Sequence, residues 1–198
     1  MSLDQRDYWD GEAERFDDEP DHGLGEPTTR EAWRALLASQ LPEPPSDVVD
    51  LGCGTGTLSL LLAEAGHRVR GLDLAPRMIE RARTKATEAG LEVEFVVGDA
   101  AAPAYPLGSA DVVLCRHVLW ALPDPATALA RWAALLRPGG RLLLVEGRWH
   151  TGAGLTAADT ERLAATVGAD VRVLPMTDDV YWGGPITDER YLVCARVN

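Results

Sequence analysis

Apolar and polar positions repeat along the chain with two periods, and the period switches back and forth after residue 46. Short apolar runs at Val48-Val49-Asp50-Leu51, Val69 to Asp73, Val93 to Val97, Ala110 to Cys115 and Arg141 to Glu146 predict strands covered on both faces. Between them apolar residues recur at helical spacing. Leu58, Leu61, Leu62 and Ala65 form one such face, closed by Gly66. Met78, Ile79 and Ala82 form a second, on a helix opened by Pro76 and running to about Ala89. Ala128, Leu129, Trp132, Leu135 and Leu136 form a third, stopped by Pro138-Gly139-Gly140. Thr156 with Asp159 caps one more helix, ending near Gly168. Strands alternating with helices of this length imply βαβ units and a parallel sheet. The last two runs, Val171 to Met176 and Tyr191 to Val197, have only the Gly/Pro/Asp-rich residues 177–189 between them. They are expected to pair antiparallel at a sheet edge. The pattern is one α/β domain over residues 46–198: a doubly wound, mostly parallel, seven-stranded sheet with helices on both faces.

Residues 1–45 read differently and form a helical cap or lid segment. Thr28 with Glu31 is a capping box for a helix whose apolar face carries Trp33, Leu36 and Leu37, ended by Pro42-Glu43-Pro44-Pro45. Residues 1–27 hold ten acidic and two basic side chains, a net of −8 out of −12 for the whole chain. Such a run reads as a solvated arm, yet Tyr8, Trp9 and Phe16 interrupt it, and aromatic residues predict a short helix or a lid. The acidic balance disfavours nucleic acid as a partner. The first residues lack a signal-peptide layout and no apolar run is long enough to span a bilayer, so a cytoplasmic protein is expected. Cys53, Cys115 and Cys194 are widely spaced and read as buried thiols. The histidines show no metal-ligand spacing, and no metal is expected.

The strongest chemical signal is Asp50-Leu51-Gly52-Cys53-Gly54-Thr55-Gly56, which follows a strand and opens a helix. In a doubly wound sheet this turn lies at the carboxyl ends of the strands, where ligands bind. Asp73 ends the second strand and can accept two hydrogen bonds from a ribose diol. Gly98-Asp99-Ala100 ends the third; its carboxylate can accept from an adenine amine, or simply close a turn. Three acids at successive strand ends point to an adenosine-type ligand. A nicotinamide dinucleotide stays open at this point, although the pattern is G-x-G-x-G with Leu58 where a third fingerprint glycine would stand.

These residues, with Asp111-Val112-Val113-Leu114 and Leu136-Arg137-Pro138-Gly139-Gly140, resemble the class I S-adenosylmethionine-dependent methyltransferases over about residues 46–147. The resemblance implies a Rossmann-like sheet in the order 3-2-1-4-5-7-6 with strand seven antiparallel. It implies S-adenosyl-L-methionine as cofactor, S-adenosyl-L-homocysteine as product, and a small-molecule acceptor. It places Gly52, Gly54 and Gly56 along the methionine part of the cofactor and Asp50 on its ammonium. Asp73 falls on the ribose, Leu74 and Met78 near the adenosine, and Asp99 and Ala100 on the adenine. Arg116 and His117 follow strand four, facing cofactor and acceptor.

His117 is the candidate general base for an acceptor that must lose a proton; it reads equally well as a packing or cofactor-orienting histidine. His22 reads as a tail residue, His150 as a surface loop residue and His67 as lying on the far side. Trp120, Trp149, Tyr181 and Trp182 are loop anchors or, alternatively, an aromatic substrate wall. The competing functions are a nicotinamide-dependent oxidoreductase and a non-catalytic binding protein on the same fold. The first lacks a Tyr-x-x-x-Lys pair, since Lys85 is the sole lysine, and the second is expected to have lost the glycines or Asp73.

Overall fold

The computed structural model describes residues 3–197; the sequence reading of the first residues and the ends of both segments extends slightly beyond them. Seven strands form one sheet: β1 (Asp47–Leu51), β2 (Arg68–Asp73), β3 (Glu94–Val97), β4 (Ala110–Arg116), β5 (Leu136–Arg148), β6 (Ala169–Pro175) and β7 (Glu189–Arg196). Their order is β3-β2-β1-β4-β5-β7-β6, with β7 antiparallel to both neighbours and the other pairs parallel. This is the order the resemblance implies, and β6 with β7 is the expected antiparallel edge pair.

The helices are α1 (Leu3–Glu12), α2 (Pro20–Gly23), α3 (Pro27–Gln40), α4 (Thr57–Glu64), α5 (Pro76–Ala89), α6 (Pro125–Leu135) and α7 (Ala157–Ala164). Alternation along the strands sorts the core into two layers. Val49, Val113, Leu142 and Val193 meet Leu129 and Trp132 of α6 and Ala164 of α7. Val48, Val112, Leu143 and Leu192 meet Trp33 and Leu37 of α3 and Leu58 and Leu61 of α4. Ile79, Ala82 and Ala86 of α5 pack on Phe95. The three cysteines are buried and unpaired. No described helix is long and apolar enough to cross a membrane.

Two local expectations are corrected. Helix α3 starts at Pro27, not Thr28, and no capping box forms: Glu26 is the N-cap without a side-chain bond, and Glu31 pairs with Arg34 at 3.1 Å. Proline at the first helical position is already set at a helical φ, so it fixes the start. Secondly, Pro138-Gly139-Gly140 lies within β5. Leu136 pairs with Ala110 and Arg141 with Val112, so Arg137 to Gly140 bulge from a continuing strand. The bulge aims Arg137 at the amino ends of the strands, where it bonds Asp111 at 2.7 Å and Asp47 at 2.8 Å, with Arg68 on Asp47 at 2.7 Å. Guanidinium groups of Arg68 and Arg137 hold the Asp47 carboxyl down at about 2. Asp111 and Arg137 are therefore a clamp at the end of the sheet remote from the cavity.

Candidate active site

Strand order reverses between β1 and β4, so their carboxyl ends diverge and leave a crevice. The chain leaving β1 turns there with Gly52 at φ +75° and Gly54 at φ +55°. A side chain on Gly52 would lie 2.2 Å from Val118 in the segment after β4, and one on Gly54 would lie 3.0 Å from Phe16. Bare backbone is therefore required by conformation and by space together. The result is one concave, mostly apolar cleft with a few polar groups, the usual character of a small-molecule site.

One wall is Asp50 with Gly52 and Gly54; the next is Asp73, Leu74, Met78 and Ala100; Arg116, His117 and Val118 close the far end. Nine of the predicted site residues thus meet in one space. Gly56 and Asp99 do not line it. A side chain on Gly56 would strike Phe95 at 2.7 Å and Ala82 at 3.0 Å, so this glycine lets α4 start close against α5 and β3. Asp99 accepts the Ala101 amide at 2.8 Å and shapes the turn that presents Ala100.

The two carboxylates on the wall are held differently. Asp50 is buried and accepts the Ser59 hydroxyl at 2.6 Å. Burial pushes its carboxyl up to about 6, against the Ser59 bond and the Arg116 charge. Asp73 accepts the amides of Gly54 at 2.8 Å and Ala75 at 2.9 Å, one on each oxygen. Burial raises its pKa while these amides oppose the rise. Each oxygen keeps a lone pair for a further donor.

His117 has φ +59°, a left-handed conformation uncommon for a residue with a side chain. Its amide donates to Val145 at 2.9 Å and its carbonyl accepts the Trp120 indole at 3.0 Å. Both ring nitrogens are buried without a partner. Burial lowers its pKa well below the usual histidine range, helped by the charges of Arg116 and Arg190, so the ring is neutral at pH 7. His150 is 78% exposed and pairs with Asp188 at 3.4 Å, as expected of a surface loop. His67 is buried among the residues at the amino ends of the strands.

Residues 3–26 cover the mouth. Trp9, Phe16 and His22 line the cavity, and Phe16 stacks on His22 with centroids 4.2 Å apart. Asp10 accepts the Arg77 amide at 2.8 Å, supplying the start of α5 with an acid. Asp17 accepts the Thr55 hydroxyl at 2.5 Å and pairs with Lys85 at 3.0 Å. Arg116 donates to the Asp21 carbonyl and lies over the Trp33 ring at 5.4 Å. For Asp10 and Asp17 the solvated-arm reading of the acidic run is therefore wrong, as is the tail reading of His22.

Sequence reasoning also missed Glu146. It is fully buried, its Oε1 accepts the Leu119 amide at 2.8 Å, and its Oε2 has no partner. It holds the segment after β4 that carries His117. The signal was a lone acid inside the apolar run Leu142 to Gly147. Burial pushes this carboxyl up to about 8, against the amides of Leu119, Trp120 and Val118. In the unfolded chain it ionises near ~4.3. Between these values the folded chain binds more protons than the unfolded one, so this group's contribution to stability falls as pH rises from about 4.3 to 8. Glu146→Gln is expected to flatten the decline of melting temperature from about pH 5 to pH 8.5; parallel curves for the two proteins would refute this.

Residues 49–144 match the family described as "Methyltransferase domain". The chain is 35% identical over 140 residues to a ubiquinone biosynthesis O-methyltransferase of Xanthomonas axonopodis pv. citri, covering 69% of this chain and 54% of that one. It is 39% identical over 123 residues to the aklanonic acid methyltransferase DauC of Streptomyces sp. strain C5, covering 60% and 56%. The chain thus spans about half the length of the curated relatives it matches. In fold it is similar to the magnesium protoporphyrin IX methyltransferase ChlM of Synechocystis PCC 6803, solved with bound SAM: TM-score 0.75, 24% identity, 98% and 95% coverage. It is also similar to the [4+2]-cyclase SpnF, with TM-score 0.71, 21% identity, and 84% and 80% coverage.

Proposed function

We propose that the chain, whose residues 49–144 match a methyltransferase domain on a sheet of this order, is a class I S-adenosylmethionine-dependent methyltransferase that transfers a methyl group from S-adenosylmethionine to a small-molecule acceptor. The observation that carries this reading is one cavity at the reversal point, with carboxylates from two adjacent strand ends and a bare-backbone turn between them. The residues present fit the cofactor. Asp50 meets its ammonium, and Asp73 offers a free lone pair on each oxygen to the two ribose hydroxyls. Leu74 and Met78 pack on the adenosine, and Ala100 presents backbone to the adenine, with Asp99 shaping that turn. Gly52 and Gly54 lie along the methionine part, Gly56 fixes the helix start behind them, and Arg116 flanks the far end.

Bound there, the cofactor supplies a methyl group activated on a sulfonium. The chain's own part is placement and exclusion of water. Arg116 and His117 border the space for the acceptor, and Trp9 and Phe16 roof it. His117 hydrogen-bonds the acceptor; where an acceptor has a proton to lose the neutral ring is the group placed to take it, against neighbouring cations that disfavour its protonated form. The cap of residues 1–45 acts as a lid on the domain of residues 46–198, held by Asp17 and Arg116. The three unpaired thiols accord with a reducing cytoplasm.

Calorimetric titration with S-adenosylhomocysteine and with NAD tests the reading. Saturable binding of the first and none of the second is expected. Binding of NAD alone would replace the transferase by an oxidoreductase.

A further inference from the structure

Four of the six tryptophans and His117 form one continuous aromatic run beyond the glycine turn. Trp120 and Trp149 are 5.2 Å apart between centroids, Trp149 and His117 5.3 Å, His117 and Trp182 6.0 Å, and Trp182 and Trp33 5.9 Å. His117, from the middle of this run, lines the cavity. Arg190 lies against the same rings, its guanidinium carbon 5.2 Å from the centroid of Trp149 and 5.0 Å from that of Trp182.

The unused hydrogen-bonding capacity here is almost all nitrogen. Both ring nitrogens of His117, Nδ1 of His22 and Nε of Arg190 are buried without partners, while Arg190 bonds Asp188 at 3.2 Å through another nitrogen. A neutral imidazole carries one N–H donor and one acceptor nitrogen, so His117 and Nε of Arg190 each keep a buried donor unpaired, and such costly donors mark where a ligand's acceptor atoms belong. The cofactor does not use them up. Its methionine end is a zwitterion whose ammonium is matched by Asp50 and whose carboxylate can be matched by Arg116.

We propose that the methyl acceptor is a flat conjugated carboxylic acid that presents an ionised oxygen to His117 and His22 and lays its plane against Trp149 and Trp120, the half-buried members of the tryptophan run, with Arg190 supplying the attracting charge. This rests on the methyltransferase reading above and names its substrate class. An oxygen that arrives ionised forms the C–O bond as the C–S bond breaks, and the sulfur keeps the electron pair. No proton is left for the protein to remove, which agrees with a neutral His117 whose neighbours disfavour its protonation. The chain's net charge of −12 acts against anions at long range, so the preference has to come from these few short contacts.

The test uses three probes of one shape: 2-naphthoate, 2-naphthamide and 2-naphthylmethylammonium. Each is titrated by calorimetry into the full chain saturated with S-adenosylhomocysteine at pH 7.5. The acid is expected to bind about tenfold more tightly than the amide, with the ammonium weakest. In His117→Leu and in Arg190→Met the margin is expected to shrink to about threefold or less. Equal affinities, a preference for the amide or ammonium, or no binding of any probe would overturn the proposal. Failure of S-adenosylhomocysteine itself to bind is read in the preceding titration and would instead overturn the methyltransferase reading.

Discussion

Asp73→Ala is expected to weaken S-adenosylhomocysteine binding by about a hundredfold or more. Two hydrogen bonds from ribose hydroxyls to a carboxylate contribute roughly 1.5–3 kcal/mol each, and tenfold in affinity corresponds to about 1.4 kcal/mol. The loss has a second source. Asp73 also accepts the amides of Gly54 and Ala75, so the alanine variant unties the glycine turn from the end of β2. Asp73→Asn separates the two contributions. It keeps one acceptor oxygen and the shape, and should fall between wild type and alanine. Calorimetry on the three proteins reads the result directly. If Asp73→Ala binds as wild type does, the ribose lies elsewhere.

Trp132→Ala is expected to be the most damaging single change to stability. The indole is fully buried between α6 and the sheet, and large aromatic truncations cost about 3–5 kcal/mol. Its Nε1 donates to the Ala100 carbonyl at 2.7 Å, and losing that partner in a buried place adds roughly another 1 kcal/mol. A domain of this size has about 5–15 kcal/mol in total, so the melting temperature should fall by roughly ten degrees or more. Trp132→Phe keeps most of the volume and loses the hydrogen bond, and should cost about 1–2 kcal/mol. Because Ala100 lines the cavity, the phenylalanine variant should also bind the cofactor less tightly. Urea unfolding monitors the first effect and calorimetry the second; an alanine variant as stable as wild type would show that α6 is not anchored as described.

The βαβ pattern was legible because it is local. Strands buried on both faces must be apolar runs, and their helices must show one apolar stripe, whatever the rest of the chain does. Three acids at strand ends could be counted in the same way, and two of them, Asp50 and Asp73, line the cavity. Asp99 falls just outside it because its side chain closes the turn that carries Ala100. The docking of the cap was not legible. Asp17 meets Lys85 across 68 positions, and the Trp33 indole bonds the Tyr181 carbonyl across 148. Such pairs arise only after the sheet has gathered its ends. Charge counting placed the acidic run in solvent, but the helix start of α5 and the Thr55–Lys85 pair each needed an acid, and the nearest supply was that run.

The latch formed by Asp17 has one consequence for how the protein can be watched. Lys85 is the only lysine in the chain, and its side chain is 27% exposed while its ammonium is held by Asp17, Thr55 and Thr57. Side-chain acylation by an amine-directed reagent therefore reports on a single site, and lifting the cap withdraws Asp17 from it. The speed of labelling then responds to the roof lifting, with no dye attached and no residue replaced.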